Sequence, residues 1–467
     1  MPIIELRVLP PFAIARLGAS PTPLAAYSLE LPEDKPLNFR VVRATETLEV
    51  DSESGAILRA STPPRIRFRD GKQIRPVAPF LEVWARTSEE TLEPLTLSLL
   101  RSEGLDPDGV SWSVEVANIK AFRRTGDPKD RIVAKIKKIN DHAAHPLLGT
   151  CGNFFEGKTL PFGSVRYIRP TEEFPEIRLR FTPAAGLVYG ANKQRHTSDK
   201  DVENDPVFEN ASERIIYDPD RGKWHGYEEP QSGPTFTNPG QIFAGYGTSN
   251  NIQVSWGYLD DACDGTLKVE LARKGHPPLT AHAHISSGPP TFVPDALPIR
   301  TAEDELVQIV LGPNIADDEE VPIDEALEIV RRALDTVRQL NTAVMNGNPT
   351  NGRLNVASTM VRQDTGDFGR EFAPIMAASL VDNLAVRALH ERVFAAVSSG
   401  SAPWFAEVLR RPEEIGDLSD RGRRKMPAMM RGADGRMLTL TRRQIHQVVH
   451  AATRALFHGP SKSSSTR

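Results

Sequence analysis

A chain of 467 residues with 39% hydrophobic and 25% charged residues has globular composition and enough length for two or three packed units. Its formal net charge of -4 gives no reason to expect nucleic acid as a partner. Cys151 and Cys263 are too few for a disulfide scaffold or a four-thiolate metal site, and no apolar run approaches the roughly 18 residues of a membrane span.

The amino terminus, Met1-Pro2-Ile3-Ile4-Glu5, has neither the basic start nor the long apolar stretch of a secretory leader. A soluble cytoplasmic protein is the expectation. Residues 3–8 read as a short strand stopped by Pro10-Pro11, since proline cannot donate to a ladder. Residues 39–43, 65–69 and 80–85 are further strand candidates, each short and bounded by turn formers or charges. Asp70-Gly71 suits a tight turn leading to the segment around Ile74. From Ser111 the chain alternates. Trp112, Val114 and Val116 face one side and Ser111, Ser113 and Glu115 the other, as in a strand with one buried face.

The middle, residues 118–240, reads as loop-rich. Residues 132–139 fit a short basic helix or a strand, whereas Ile177, Leu179 and Phe181 alternate. The acidic run 196–206 has little to bury, and glycines and prolines over 233–247 mark turns. Strand character returns at 252–256 and 266–271, separated by a turn containing Asp260-Asp261-Ala262-Cys263-Asp264-Gly265. Pro277-Pro278 then breaks the chain.

From Pro322 the period changes. Ala326, Leu327, Val330, Leu334, Val337 and Leu340 recur mostly at helical steps, with Asp324 and Glu325 at the positive end of the dipole. This predicts a helix over 323–345, ended by Asn346-Gly347-Asn348-Pro349. A second helical region spans 371–397, and a third begins at Thr441, whose spacing to Gln444 is that of a capping box. The fold class is α+β, with β-rich amino-terminal and central parts and a helical carboxy-terminal part. The expected regions are 1–125, 126–320 and 321–460, with a disordered polar tail at 461–467.

Few motifs carry chemistry. His282 and His284 share a face of a strand and begin a metal site, for which Asp261 is the candidate further ligand. Surface or hydrogen-bonded histidines explain the pair as well. His142 with His145, and His446 with His450, lack the glutamate arrangement of a zinc helix. Asp260, Asp261 and Asp264 beside Gly265 do not have calcium-loop spacing, and a turn capping its own amides accounts for them. Ala244-Gly245-Tyr246-Gly247 lacks the Gly-Lys-Ser/Thr ending of a phosphate loop, and no nucleophile-elbow pattern assigns a triad.

Several blocks resemble the LodA-like family, which includes lysine ε-oxidase and glycine oxidase relatives. They are Phe12-Ala13-Ile14-Ala15-Arg16-Leu17-Gly18-Ala19-Ser20-Pro21, Asp70-Gly71-Lys72-Gln73-Ile74-Arg75-Pro76-Val77-Ala78-Pro79-Phe80 and Trp112-Ser113-Val114-Glu115-Val116-Ala117-Asn118-Ile119-Lys120-Ala121. Weaker similarity runs over 160–167 and 256–269, and Met426-Pro427 with Leu438-Thr439-Leu440-Thr441 also matches. For the family's quinoprotein oxidases the resemblance implies a cysteine tryptophylquinone, which takes electrons from a primary amine and passes them to oxygen. A flavoprotein partner takes part in making it.

The family's cofactor-bearing region lies beyond the Leu-Thr-Leu-Thr block, and this chain stops at Arg467. Cys151 and Cys263 stand in unlike contexts, while Trp112 and Trp256 match framework blocks. The expectation is that the cysteine tryptophylquinone is absent, that no cofactor is used, and that no residue carries over as catalytic. Arg16, Asn118 and Lys120, polar positions within the matching blocks, are candidate substrate contacts if the chain is catalytic, with structural hydrogen bonding or surface exposure as the alternative reading. The expected role is a non-quinone homologue acting as a protein-binding or structural subunit, with a protein partner. Two alternatives stand beside it. One is an amino-acid oxidase or other oxidoreductase using a noncovalent or partner-supplied cofactor, and the other is a metal-dependent modifying enzyme.

Overall fold

The structure is a computed structural model that describes residues 3–31, 40–87, 91–191, 211–225, 227–230, 245–247, 252–255, 257–291, 294–336, 392, 395, 409–415, 417, 419–423, 425–427 and 438–458. The chain forms an α+β fold of two compact units. The first comprises Met1–Ser28 and Arg43–Thr291, and the second Leu29–Val42 and Phe292–Arg467. Among the described residues no helix is long and apolar enough to cross a membrane.

The first unit rests on strands whose apolar residues alternate. In chain order these are β1 (Glu5–Leu9), β2 (Phe12–Arg16), β3 (Phe80–Arg86), β4 (Leu92–Pro94) and β5 (Val110–Asn118). The short helix α1 (Lys120–Thr125) follows, then β6 (Ile132–Ile139), β7 (His145–Gly149), β8 (Leu160–Tyr167), β9 (Arg178–Pro183) and β10 (Val188–Ala191). Next come β11 (Ile215–Tyr217), β12 (Leu259–Asp260), β13 (Asp264–Arg273) and β14 (His276–Gly288).

One sheet has the order β1-β3-β9-β8-β7, with β4 also paired to β3. A second has the order β6-β5-β13-β14-β2, antiparallel except where β2 runs parallel to β14. β1 and β2 are consecutive yet belong to different sheets. Pro10 and Pro11 have no amide hydrogen to continue the first ladder, so the chain leaves one sheet and joins the other. A small third sheet sets β10 between β11 and β12.

Inward side chains of both large sheets form one core, as expected of sheets packed face to face. In β5 the anticipated alternation is present: Trp112, Val114 and Val116 are buried, while Glu115 is exposed. Val83, Phe162, Leu179, Phe181, Leu267 and Val269 bring strands from the two sheets into the same cluster. Burying each such leucine, valine or phenylalanine contributes about 1.5–3 kcal/mol.

Several local expectations change. Residues 118–240 hold six of the strands above, because short hydrophobic alternations at Leu160, Phe162 and Val165 or at Leu179 and Phe181 suffice once neighbouring strands complete them. Residues 132–139 are a strand, since Ile132 and Ala134 turn inward while the lysines face out. Of residues 65–69 only Arg69 joins a ladder, Arg69–Asp70 with Gln73–Ile74 across the Asp70-Gly71 turn. Pro277 and Pro278 do not break the chain. They lie inside β14 where the register with β13 is already irregular, and the Pro277 carbonyl accepts from Arg273 Nε at 2.9 Å.

The second unit contains α2 (Ala302–Leu311), α3 (Ile323–Asp335) and α4 (Arg442–His458). Ala326, Leu327 and Val330 of α3 share a core with Ile445, Val448 and Ala452 of α4. Thr441 and Gln444 make the expected capping box: the Gln444 amide donates to Thr441 Oγ1 at 3.0 Å and the Thr441 amide to Gln444 Oε1 at 2.8 Å. α2 is an additional helix, started by the same reciprocal arrangement of Thr301 and Asp304. The helix expected over 323–345 is described as far as Asp335. The helix expected over 371–397, apart from Arg392 and Ala395, and the tail at 461–467 lie outside the described residues.

Candidate functional site

Asn118, Lys120 and the Asp260-Asp261 turn come together at one end of the second sheet. β5 delivers Asn118, α1 begins two residues later with Lys120, and β12 supplies Asp260. Asn118 is only 3% exposed. Its Nδ2 donates to Asp260 Oδ1 at 2.8 Å and to the carbonyls of Asp260 and Ala262, both at 3.0 Å. Its Oδ1 accepts from the Lys120 amide at 3.1 Å. The Lys120 ammonium is paired with the second oxygen of Asp260. Asn118 thereby fastens β5, the start of α1 and the turn to one another, and both ends of its amide are used.

This turn comes close to β5 because of Gly265. A Cβ there would lie 2.1 Å from the Glu115 carbonyl oxygen and 2.6 Å from Val116 Cα. Only glycine permits that approach.

Asp261 faces the interior and is 1% exposed. Its Oδ2 accepts from the amides of Gly186 and Leu187 at 3.0 and 2.8 Å, while Oδ1 has no hydrogen-bond partner. Gly186, with φ of 83°, adopts the left-handed conformation that lets two successive amides converge on one oxygen. Burial pushes the Asp261 carboxyl up to about 6; the two amides oppose that rise and neighbouring Asp260 adds to it.

Arg16 lies on β2, beside β14, and donates from Nη1 to the Pro289 carbonyl at 3.3 Å. His282 and His284 point outward from β14, whereas Ala281, Ala283 and Ile285 are buried. Asp261 therefore does not join the two histidines in one ligand set. Among the described residues no group of three or more His, Cys, Asp or Glu side chains is placed to hold a metal ion.

A second polar cluster, outside every sequence motif, is centred on Asp130. Asp130 is fully buried and accepts from Tyr217 Oη at 2.7 Å, Asn153 Nδ2 at 2.8 Å and Thr125 Oγ1 at 2.6 Å. Burial, foremost, raises the Tyr217 phenol above its ordinary range, and the nearby Asp130 adds to it. Local sequence holds no signal for this cluster, because Asp130 and Tyr217 are 87 residues apart.

A cysteine tryptophylquinone requires a cysteine sulfur bonded to a tryptophan ring. Cys151 and Cys263 are both free thiols. Cys263 accepts a hydrogen bond from Ser287 Oγ at 3.7 Å, and burial pushes both thiols up to about 12. Trp112 packs beside Tyr167 with ring centroids 6.4 Å apart, and Trp224 donates from Nε1 to the Tyr258 carbonyl at 3.0 Å. The polar side chains at the end of β5 hold backbone segments in place, and the chemistry available there is chiefly ion pairing, backbone capping and the proton on Asp261.

No family model matches the chain, and no curated protein does. Among solved structures it is similar to the ε-lysine oxidase from Marinomonas mediterranea, with a TM-score of 0.48 and 14% identity over 99% of this chain and 63% of that one. A further structure of the L-Lys ε-oxidase from that organism gives 0.46 and 14% over 96% of this chain and 61% of that one. The structure of its Schiff base intermediate with L-Lys gives the same values. The chain thus spans less than two thirds of the length of the proteins it resembles in structure.

Proposed function

We propose that this chain is a LodA-like homologue without quinone chemistry that serves as a protein-binding or structural subunit. The observation carrying this reading is the exposed face of α2. Leu306, Ile309 and Val310 are 60%, 75% and 77% exposed, and their spacing of three and four residues sets them in one stripe. A contiguous apolar patch of this kind marks an interaction surface more often than a scatter of single residues does. The helix is anchored from behind, where the Arg443 amide donates to Gln308 Oε1 at 3.0 Å.

The occupant is a companion protein that offers an apolar face of its own. The polar groups of the candidate site agree with this role, since Asn118, Lys120 and Asp260 secure the frame. Native mass spectrometry of the chain purified from its source cells tests the proposal. The natural chain is expected to carry a companion of defined mass and fixed stoichiometry. The double variant Leu306→Glu/Val310→Glu is expected to lose it while melting at the same temperature. A solitary chain, a second copy in place of a companion, or a companion retained by the variant would each overturn the reading.

A further inference from the structure

The outer face of β14 presents chemistry that the frame does not use. β14 is an interior strand, hydrogen-bonded to β13 on one side and to β2 on the other. At His284 its backbone is held on both edges, by Phe12 of β2 and Thr266 of β13, and at His282 by Lys268 of β13. The inward positions Ala281, Ala283 and Ile285 are buried in the core, which fixes the rotation of the strand and sends His282 and His284 into solvent on one face. Two residues along a strand separate their Cα atoms by about 6.5–7 Å. Across that gap two imidazole rings can converge on one ion, at the roughly 2.0–2.1 Å typical of a metal–nitrogen bond.

The neighbours leave this position open. Opposite His282 on β13 stands Lys268, whose ammonium is drawn along its own strand to Glu270 Oε2 at 3.1 Å. Opposite His284 are Thr266 on β13 and Phe12 on β2, neither of them cationic. Glu270 lies diagonally across from His282, at a separation of about 7–8 Å, and its carboxylate offsets the charge of Lys268 beside the pair.

We propose that His282 and His284 form a two-imidazole chelate for a late divalent transition metal, with water completing the coordination. Imidazole suits copper, nickel and zinc, and the general affinity order for nitrogen donors places Cu(II) above Ni(II) and Zn(II). Asp261 takes no part, being interior and committed to Gly186 and Leu187. This inference is independent of the partner proposed for α2.

The test is titration of the full chain with Cu(II) against a weak competing chelator, read by electron paramagnetic resonance. One equivalent with coupling from two imidazole nitrogens is expected. His282→Gln and His284→Gln should each weaken it by at least about tenfold, and the double variant should abolish it. His276→Gln, also exposed on β14, should leave binding unchanged, with circular dichroism confirming that each variant is folded. Absence of that equivalent in the natural chain, its persistence in the double variant, or its loss in His145→Gln would overturn the assignment.

Discussion

Asp261 has one oxygen held by two backbone amides and the other by none. A buried carboxyl in that position is easier to keep protonated than charged, which is why its pKa rises to about 6. The folded chain then holds a proton that the unfolded chain releases near pH 4. This group's contribution to stability is present below pH 4 and is lost as pH rises toward 6. The amount is about 3 kcal/mol. Asp261→Asn keeps an acceptor for Gly186 and Leu187 and removes the ionisation. Urea unfolding at pH 4 to 7 should therefore show the variant losing about 3 kcal/mol less than the natural protein across that interval. Identical pH profiles would refute the assignment. Asp261 was legible as a turn aspartate, but its burial was not, because residues 74 and 75 positions away in sequence supply the amides.

At the scale of elements, pattern and close approach made different demands. The alternation of Trp112, Val114 and Val116 was enough to orient β5, since a strand has period two whatever it pairs with. Likewise Thr441 and Gln444 announced the start of α4 through contacts made within one turn. The pairing of β5 with β13 depends on Gly265, whose role is visible only with Glu115 in place. A methyl group at 265 would overlap the Glu115 carbonyl, and relief would require the two strands to part. Gly265→Ala is expected to cost about 3 kcal/mol or more, seen as a large fall in melting temperature. A change within about 0.5 kcal/mol would show that the strands accommodate the methyl group. The same dependence on neighbours explains why residues 118–240 read as loops, for several strands there have only two or three inward side chains each.

At the scale of the whole molecule, the second unit is discontinuous in sequence. It takes Leu29–Val42 from the amino-terminal third, and Arg40 on that segment is buried with Asp335, at 3.2 Å, and Glu328 as partners. Removing one member of a buried ion pair typically costs about 3–5 kcal/mol. A fragment of residues 292–467 is therefore expected to unfold without cooperativity, and a peptide of residues 29–42 added in trans should restore a sigmoidal transition. A fragment that folds equally well without the peptide would contradict this account of Arg40.

The amino-acid sequence by itself determined the α+β class, the β5 pattern, the Asp70-Gly71 turn and the cap of α4, because each depends on interactions within a few residues. The family resemblance offered Asn118 and Lys120 as candidate substrate contacts, with structural hydrogen bonding as the alternative. Tertiary structure alone decided that both are engaged with Asp260, that Asp130 meets Tyr217, and that His282 and His284 face away from Asp261. Those outcomes turn on which distant segments share a sheet and on which face of each strand is excluded from water. Neither is encoded in local spacing.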